Sequence, residues 1–174
     1  DKIKDKEGVY KWCEKYRGPY VISEKLDGAS AMLVKQNGYM KLFTRGDGTF
    51  GKDISHIIIN LNIPQTEKDF CVRGELIVSK SNFVKYKQFT TPRSMVNGII
   101  NKKTGIDNSI GQDIDFVCFE MIYYGKNKHM DMSTQINIMQ KLGFITCMNI
   151  NVTRENILDF GQKNSVETSF LLKK

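Results

Sequence analysis

The 174 residues suffice for one domain with a hydrophobic core. Lys and Arg number 26 against 19 Asp and Glu, a formal net charge of +7 that suits either a solvated basic surface or one that meets phosphate. The sequence has no apolar run near eighteen residues and no signal-peptide core. In chain order, residues 2–17 read as a helix with Ile3, Val9, Trp12 and Tyr16 on one stripe, broken by Gly18-Pro19. Tyr20–Ser23, Ala29–Val34 and Met40–Phe43 read as strands, and Asn37-Gly38 marks a hairpin between the last two. Gly46, Gly48 and Gly51 make an ordered loop, followed by a short helix over Ile54–Leu61 and a strand over Asp69–Val78. Ser81 is expected to cap a helix through Lys87, and Pro92 to precede one over Ser94–Asn101. Ile114–Tyr124 is a long apolar strand, and Ser133 starts an amphipathic helix ending at Gly143. Phe144–Asn149 reads as a strand, Arg154–Gly161 as a helix capped by Thr153, and Ser169–Leu172 as a possible last strand. Strands interrupted by short helices predict an α+β fold, with mainly antiparallel sheets flanked by short helices. No repeat or linker divides the sequence, so residues 1–174 are expected to form a single domain.

Cys13, Cys71, Cys118 and Cys147 contain no C-x-x-C pair, and with His56 and His129 they make no zinc pattern. Reduced cysteines and an intracellular protein are expected. The sequence begins with Asp and stops on Lys-Lys, so a fragment of a longer protein is expected.

The chemistry concentrates in short strings. Lys25 stands at the end of a buried-strand pattern, two residues before Asp27-Gly28. Lysine is a nucleophile only as the neutral amine, and desolvation or neighbouring positive charge raises that fraction. A neutral Lys25 could attack an α-phosphorus and carry a nucleotide on a P–N bond; the alternative is a surface lysine at a strand end. Asp27 could orient Lys25 or lie near a metal, or simply form an Asp-Gly turn. Thr44-Arg-Gly-Asp-Gly48 with Gly51 and Asp53 can bring backbone N–H groups close to phosphate, and Arg45 can bind phosphate or sugar oxygens. The string lacks the Gly-Lys-Ser/Thr ending of a P-loop. Glu75, in Arg73-Gly-Glu75, needs a partner if buried, either a ribose hydroxyl or Arg73. Phe116 and Phe119 are core residues or a stacking face for a purine. Lys102 and Lys103 could contact nucleic-acid phosphates or sit solvated at a helix end.

Together these strings resemble the adenylation domain of NAD-dependent DNA ligases, within the covalent nucleotidyltransferase superfamily, from about Tyr20 to Phe144. Glu24-Lys-Leu-Asp-Gly28 resembles motif I and Val72-Arg-Gly-Glu75 motif III. Pro92-Arg93 with Gly98 resembles the family's Pro-Arg-Asn segment, and Phe116–Phe119 falls where motif IIIa places an adenine-stacking aromatic. Thr44-Arg-Gly-Asp-Gly48, Gly51, Asp53 and Ile63-Pro64 look like the stretch that sets the NAD-dependent branch apart. The resemblance implies that Lys25 takes AMP with Asp27 as a second catalytic residue. Glu24, Arg45, Glu75 and Phe119 would bind the nucleotide together with Lys25. Arg93, Lys102 and Lys103 would contact nucleic acid. NAD would be the AMP donor, with ATP the alternative, and Mg²⁺ would assist. The partner would be nicked double-stranded DNA, the enzyme a monomer away from membranes, and the product a sealed nick. An ATP-dependent DNA or RNA ligase and a non-catalytic nucleic-acid-binding fragment are the other readings. The sequence departs from the pattern at Ser23, where the family often has an adenine-contacting Glu, and at Asn101, where it usually has a second arginine. No second Asp-Gly of motif IV and no Lys-x-Lys of motif V follows Gly48, so the 174 residues by themselves are expected to form the AMP adduct poorly or not at all.

Overall fold

The computed structural model describes residues 3, 5–47, 49–102, 108–157 and 170–173. In chain order these form α1 (Lys6–Lys15), β1 (Tyr20–Glu24), β2 (Ala29–Gln36), β3 (Tyr39–Thr44), a 3-10 turn (Ser55–Asn60), β4 (Phe70–Val78), α2 (Lys80–Phe83) and α3 (Pro92–Asn101). After these come α4 (Asn108–Gly111), β5 (Ile114–Tyr124), β6 (Asn127–Lys128), α5 (Met132–Leu142), β7 (Asn149–Val152) and β8 (Phe170–Lys173). Helices and antiparallel sheets make the chain α+β, as the sequence predicts. The elements gather into two compact units, the second built from Leu26–Met130 and Thr134–Cys147 and the first from the remainder.

In the first unit β1 is the centre of a three-stranded antiparallel sheet, β7-β1-β8. Asp5 caps α1 by accepting the Gly8 N–H at 2.8 Å. The core is Cys13, Tyr20, Ile22, Val152 and Ile157, with Val9 and Trp12 packed on it. The Tyr20 hydroxyl escapes the cost of burial by donating to the Tyr16 carbonyl at 2.6 Å.

The second unit is a five-stranded antiparallel sheet in the order β3-β2-β4-β5-β6. Asn37 (φ 50°) and Gly38 (φ 81°) turn β2 into β3, the left-handed pair that a two-residue hairpin requires. Leu33, Leu42, Val72 and Leu76 are buried along the strands, and Met95, Val96 and Ile99 of α3 are buried with them. Thr91 and Ser94 form a reciprocal capping box, and Pro92 occupies the first turn of α3, where its missing N–H costs nothing.

Three expectations are corrected. The cap before α2 is Ser79, whose hydroxyl accepts the Asn82 N–H at 3.1 Å, and that helix is a single turn ending at Phe83. Phe144–Asn149 is not a strand. After the left-handed Gly143 (φ 90°), the Phe144 N–H returns to the Met139 carbonyl at 3.0 Å and its ring packs edge-on against Phe70. Only Thr146 bridges to β5, and regular pairing resumes at Asn149 with β1. Arg154–Asn156 are a turn, and residues 158–161 of the expected final helix lie outside the described residues.

Candidate functional site

Glu24 ends β1 and Lys25 is the exposed residue that follows it. Asp27 and Gly28 lie in the second unit, which begins at Leu26. A Cβ on Gly28 would lie 2.0 Å from the Leu76 carbonyl oxygen, so only glycine lets this turn press against β4. That approach brings the Gly28 N–H to Glu75 Oε1 at 3.2 Å. Ser30 Oγ donates to Glu75 Oε2 at 2.6 Å, so both oxygens of a carboxylate only 6 % exposed are engaged. The intramolecular partner of Glu75 is thus Ser30, directly opposite it across the β2–β4 ladder, and not Arg73.

Arg93, in the first turn of α3, donates from Nε to the Gly28 carbonyl at 2.9 Å and pairs with Asp27 Oδ1 at 3.1 Å. The pair is largely solvent-exposed and adds little stability. Its geometric effect is larger: the Asp27-Gly28 turn is fastened to α3 on one side and to β4 on the other. Lys102 is the exposed C-cap of α3, and Lys103 lies outside the described residues.

The loop after β3 is tied down by its own backbone. Asp47 Oδ1 accepts the N–H groups of Thr49 and Phe50, each at 2.8 Å. Those amides, Phe50 first, hold the Asp47 carboxyl below its ordinary range. Thr44 and Lys52 exchange two bonds, Thr44 N–H to the Lys52 carbonyl at 2.9 Å and Lys52 N–H to Thr44 Oγ1 at 3.0 Å. Asp53 accepts the Ser55 N–H and pairs with Lys41, and the Ser55 bonds and that lysine keep its carboxyl far below the usual carboxylate range. The two carboxylates of the string therefore build the loop. Gly48 lies outside the described residues.

This loop borders a cavity of about 780 Å³ whose lining includes Ser30, Met32, Arg45, Phe50, Arg73 and Phe119. The size falls in the usual range for small-molecule sites, about 300–1,000 Å³. Phe119 reaches the cavity because of a β-bulge. Arg73 pairs with Glu120 and Gly74 with Cys118, so Phe119 has no opposite number on β4. Arg73 Nη1 is 2.9 Å from Glu120 Oε2 beside that bulge. Phe116 is instead core, its ring 2.6 Å from where a Cβ on Gly74 would stand. Burial pushes the Cys71 thiol up to about 11 and the Cys118 thiol higher still, so neither is a nucleophile.

The structure thus brings together Asp27, Glu75 and Arg93 in one network and Arg45 and Phe119 in one cavity. Ser30 joins the two, bonding Glu75 while lining the cavity. Sequence reasoning missed Ser30, Met32, Phe43 and Phe50 as lining residues. Ser30 and Met32 carried one signal, a period-two spacing on β2 with the core residues Ala31 and Leu33 between. An aromatic face, two arginines and a satisfied carboxylate suit a nucleotide. They do not suit a resident Mg²⁺: among the described residues no three His, Cys, Asp or Glu side chains cluster to hold a metal. Asp27 is paired with Arg93, Glu120 with Arg73, and Asp47 with backbone amides.

Residues 6–168 match the family model of the NAD-dependent DNA ligase adenylation domain. The chain is 41 % identical over 169 residues to a DNA ligase of Acanthamoeba polyphaga mimivirus, covering 91 % of this chain and 26 % of that protein. It is 30 % identical over 173 residues to a DNA ligase of Mesomycoplasma hyopneumoniae (strain 7448), covering 83 % and 25 %. The chain therefore spans about a quarter of the length of these curated relatives. Among solved structures, the ligase domain from M. tuberculosis LigD superposes with a TM-score of 0.58 over 88 % of this chain and 48 % of that one, at 14 % identity. That likeness concerns the fold alone.

Proposed function

The chain belongs to the NAD-dependent DNA ligase adenylation domain family, and from that premise we propose that Lys25 accepts AMP from NAD and passes it to the 5′-phosphate of a nick in double-stranded DNA. The observation that carries the reading is the Asp27–Gly28–Ser30–Glu75–Arg93 network adjoining a cavity that holds Arg45 and Phe119. Lys25 is two residues from Asp27, and chain connectivity alone limits their Cα separation to about 7 Å.

In this reading the neutral Lys25 amine attacks the α-phosphorus of NAD and forms the P–N bond as the P–O bond to nicotinamide mononucleotide breaks. The departing nicotinamide mononucleotide phosphate carries the electron pair away, and the proton shed by the attacking amine passes to solvent water. The 5′-phosphate oxygen of the nick then displaces Lys25 from the phosphorus, and the 3′-hydroxyl displaces AMP to seal the strand. Phe119 supports the base by stacking. Glu75 is assigned to the ribose hydroxyls, with Ser30 and the Gly28 amide holding it in position. Glu24, adjoining Lys25, is assigned to the nucleotide as well. Arg45 neutralises phosphate charge. Arg93 orients the Asp27-Gly28 turn and, with Lys102 and Lys103, serves the nucleic-acid side. Magnesium, if used, would be held mainly by the nucleotide phosphates and would supply charge neutralisation there, the protein adding few or no carboxylates. Both structural units work as one adenylation domain, since the matched residues 6–168 include parts of each. Among the described residues no helix is long and apolar enough to cross a membrane. A monomeric intracellular enzyme completes the proposal.

The donor is tested by incubating the chain, within a protein that carries motifs IV and V, separately with adenine-labelled NAD and ATP and reading label retained on a denaturing gel. Labelling from NAD alone is expected. Labelling from ATP alone would move the chain to the other donor class, and labelling from neither would favour a non-catalytic module.

A further inference from the structure

The cavity has a second aromatic end that the adenosine does not require. Strand register lays out its floor as a row: Phe43 on β3 opposes Met32 on β2, Met32 opposes Arg73 on β4, and Arg73 opposes Glu120, next to the bulged Phe119 on β5. Three strand spacings separate the ends, about 14 Å. Phe119 occupies the β5 end. Phe43, Phe50 and Arg45 gather at the β3 end.

The two arginines differ. Arg73 is neutralised by Glu120, whereas among the described residues no carboxylate pairs with Arg45. Phosphate charge is therefore drawn toward the β3 end. Phe50 is 78 % exposed yet is not on a loose segment. Its N–H is held by Asp47, its carbonyl accepts the Asp47 N–H at 3.3 Å, and that carbonyl lies 1.6 Å from where a Cβ on Gly46 would be. A large apolar ring on a backbone hydrogen-bonded to Asp47, beside a cation that no carboxylate pairs among the described residues, suits an aromatic group one phosphate away.

We propose that Phe50, with Phe43 and Arg45, receives the 5′-terminal nucleoside of the nicked strand, its base on the Phe50 ring and its 5′-phosphate at Arg45. This rests on the adenylation reading given above. When AMP is bonded to the 5′-phosphate, that nucleoside is the next group beyond the two phosphates, and a trough aromatic at both ends and cationic near one of them matches such a molecule. The openness of Phe50 suits a polymer end that covers it on arrival.

The test is binding of the protein to two 5′-phosphorylated nicked duplexes, one with a normal 5′-terminal nucleotide and one with an abasic tetrahydrofuran there, read by fluorescence anisotropy. The wild type should favour the normal nick by about 5- to 100-fold, the worth of one stacked base. F50A should erase that preference and F50W should keep it. No preference in the wild type, or full preference in F50A, would overturn the assignment. So would an F50A variant whose base preference is unchanged while its KM for NAD rises, which would give Phe50 to the donor. Mass analysis of Lys25, after incubation with NAD of the chain within a protein that carries motifs IV and V, separates the two readings. A normal adduct without base preference faults only the role of Phe50, whereas absence of the adduct in the wild type faults the adenylation reading itself.

Discussion

At the residue scale the site depends on groups whose neighbours leave them little freedom. Glu75 is fixed by Gly28 and Ser30, both distant in sequence, so its local string Arg73-Gly-Glu75, which offered a ribose hydroxyl or Arg73, could not show them. The strand and the glutamate were legible; the bond to Ser30 was not, because it depends on which strands pair and in which register. Glu75→Ala should leave the buried Gly28 N–H and the Ser30 hydroxyl unmatched and cost about 1–3 kcal/mol, measurable by urea unfolding. Asp53 gives a pH prediction. Its folded-state carboxyl is depressed, so its stabilisation is present above the unfolded value near about 3.9 and is lost as pH falls through the folded value. Asp53→Asn should therefore destabilise at pH 7, by about 0.5–1 kcal/mol after screening of an exposed pair, and the gap to wild type should close in acid melts below about pH 4.

At the element scale, hairpins and caps were easier to read than bulges. Asn37-Gly38 announced its turn, and Ile114–Tyr124 has the ends that its apolar run implies. Nothing in that run shows that Phe119 is the extra residue, because a bulge is defined by the partner strand. The expected strand at Phe144–Asn149 failed for a similar reason: apolar residues closing a helix end look the same as a strand until their backbone partners are known. The Thr44–Asp53 loop was legible as ordered, though its carboxylates proved to be loop-building groups. Gly46→Ala would force a left-handed residue (φ 64°) and a Cβ 1.6 Å from the Phe50 carbonyl oxygen. It should loosen the loop, raising amide exchange at Thr49–Lys52 and weakening labelling from NAD, while the melting temperature falls only slightly. Unchanged exchange there would mean that the hydrogen bonds of Asp47 suffice without the glycine.

At the scale of the whole molecule, one sequence supplies two compact units, and the motif I string crosses from one to the other between Lys25 and Leu26. Lys25 therefore belongs to the first unit and the carboxylate network to the second, a division that no periodicity reveals. Chain continuity through Leu26 is what the adenylation reading relies on to deliver the amine. The most direct measurement is to incubate the chain, within a protein that carries motifs IV and V, with NAD, digest it, and map the AMP-bearing residue by mass spectrometry, with Lys25→Ala and Lys25→Arg in parallel. Lys25 is exposed, so neither substitution should disturb the fold. The account predicts an acid-labile AMP on Lys25 in the wild type and no adduct in either variant, since a guanidinium stays protonated. An adduct on a different lysine, or one that survives in Lys25→Ala, would contradict it.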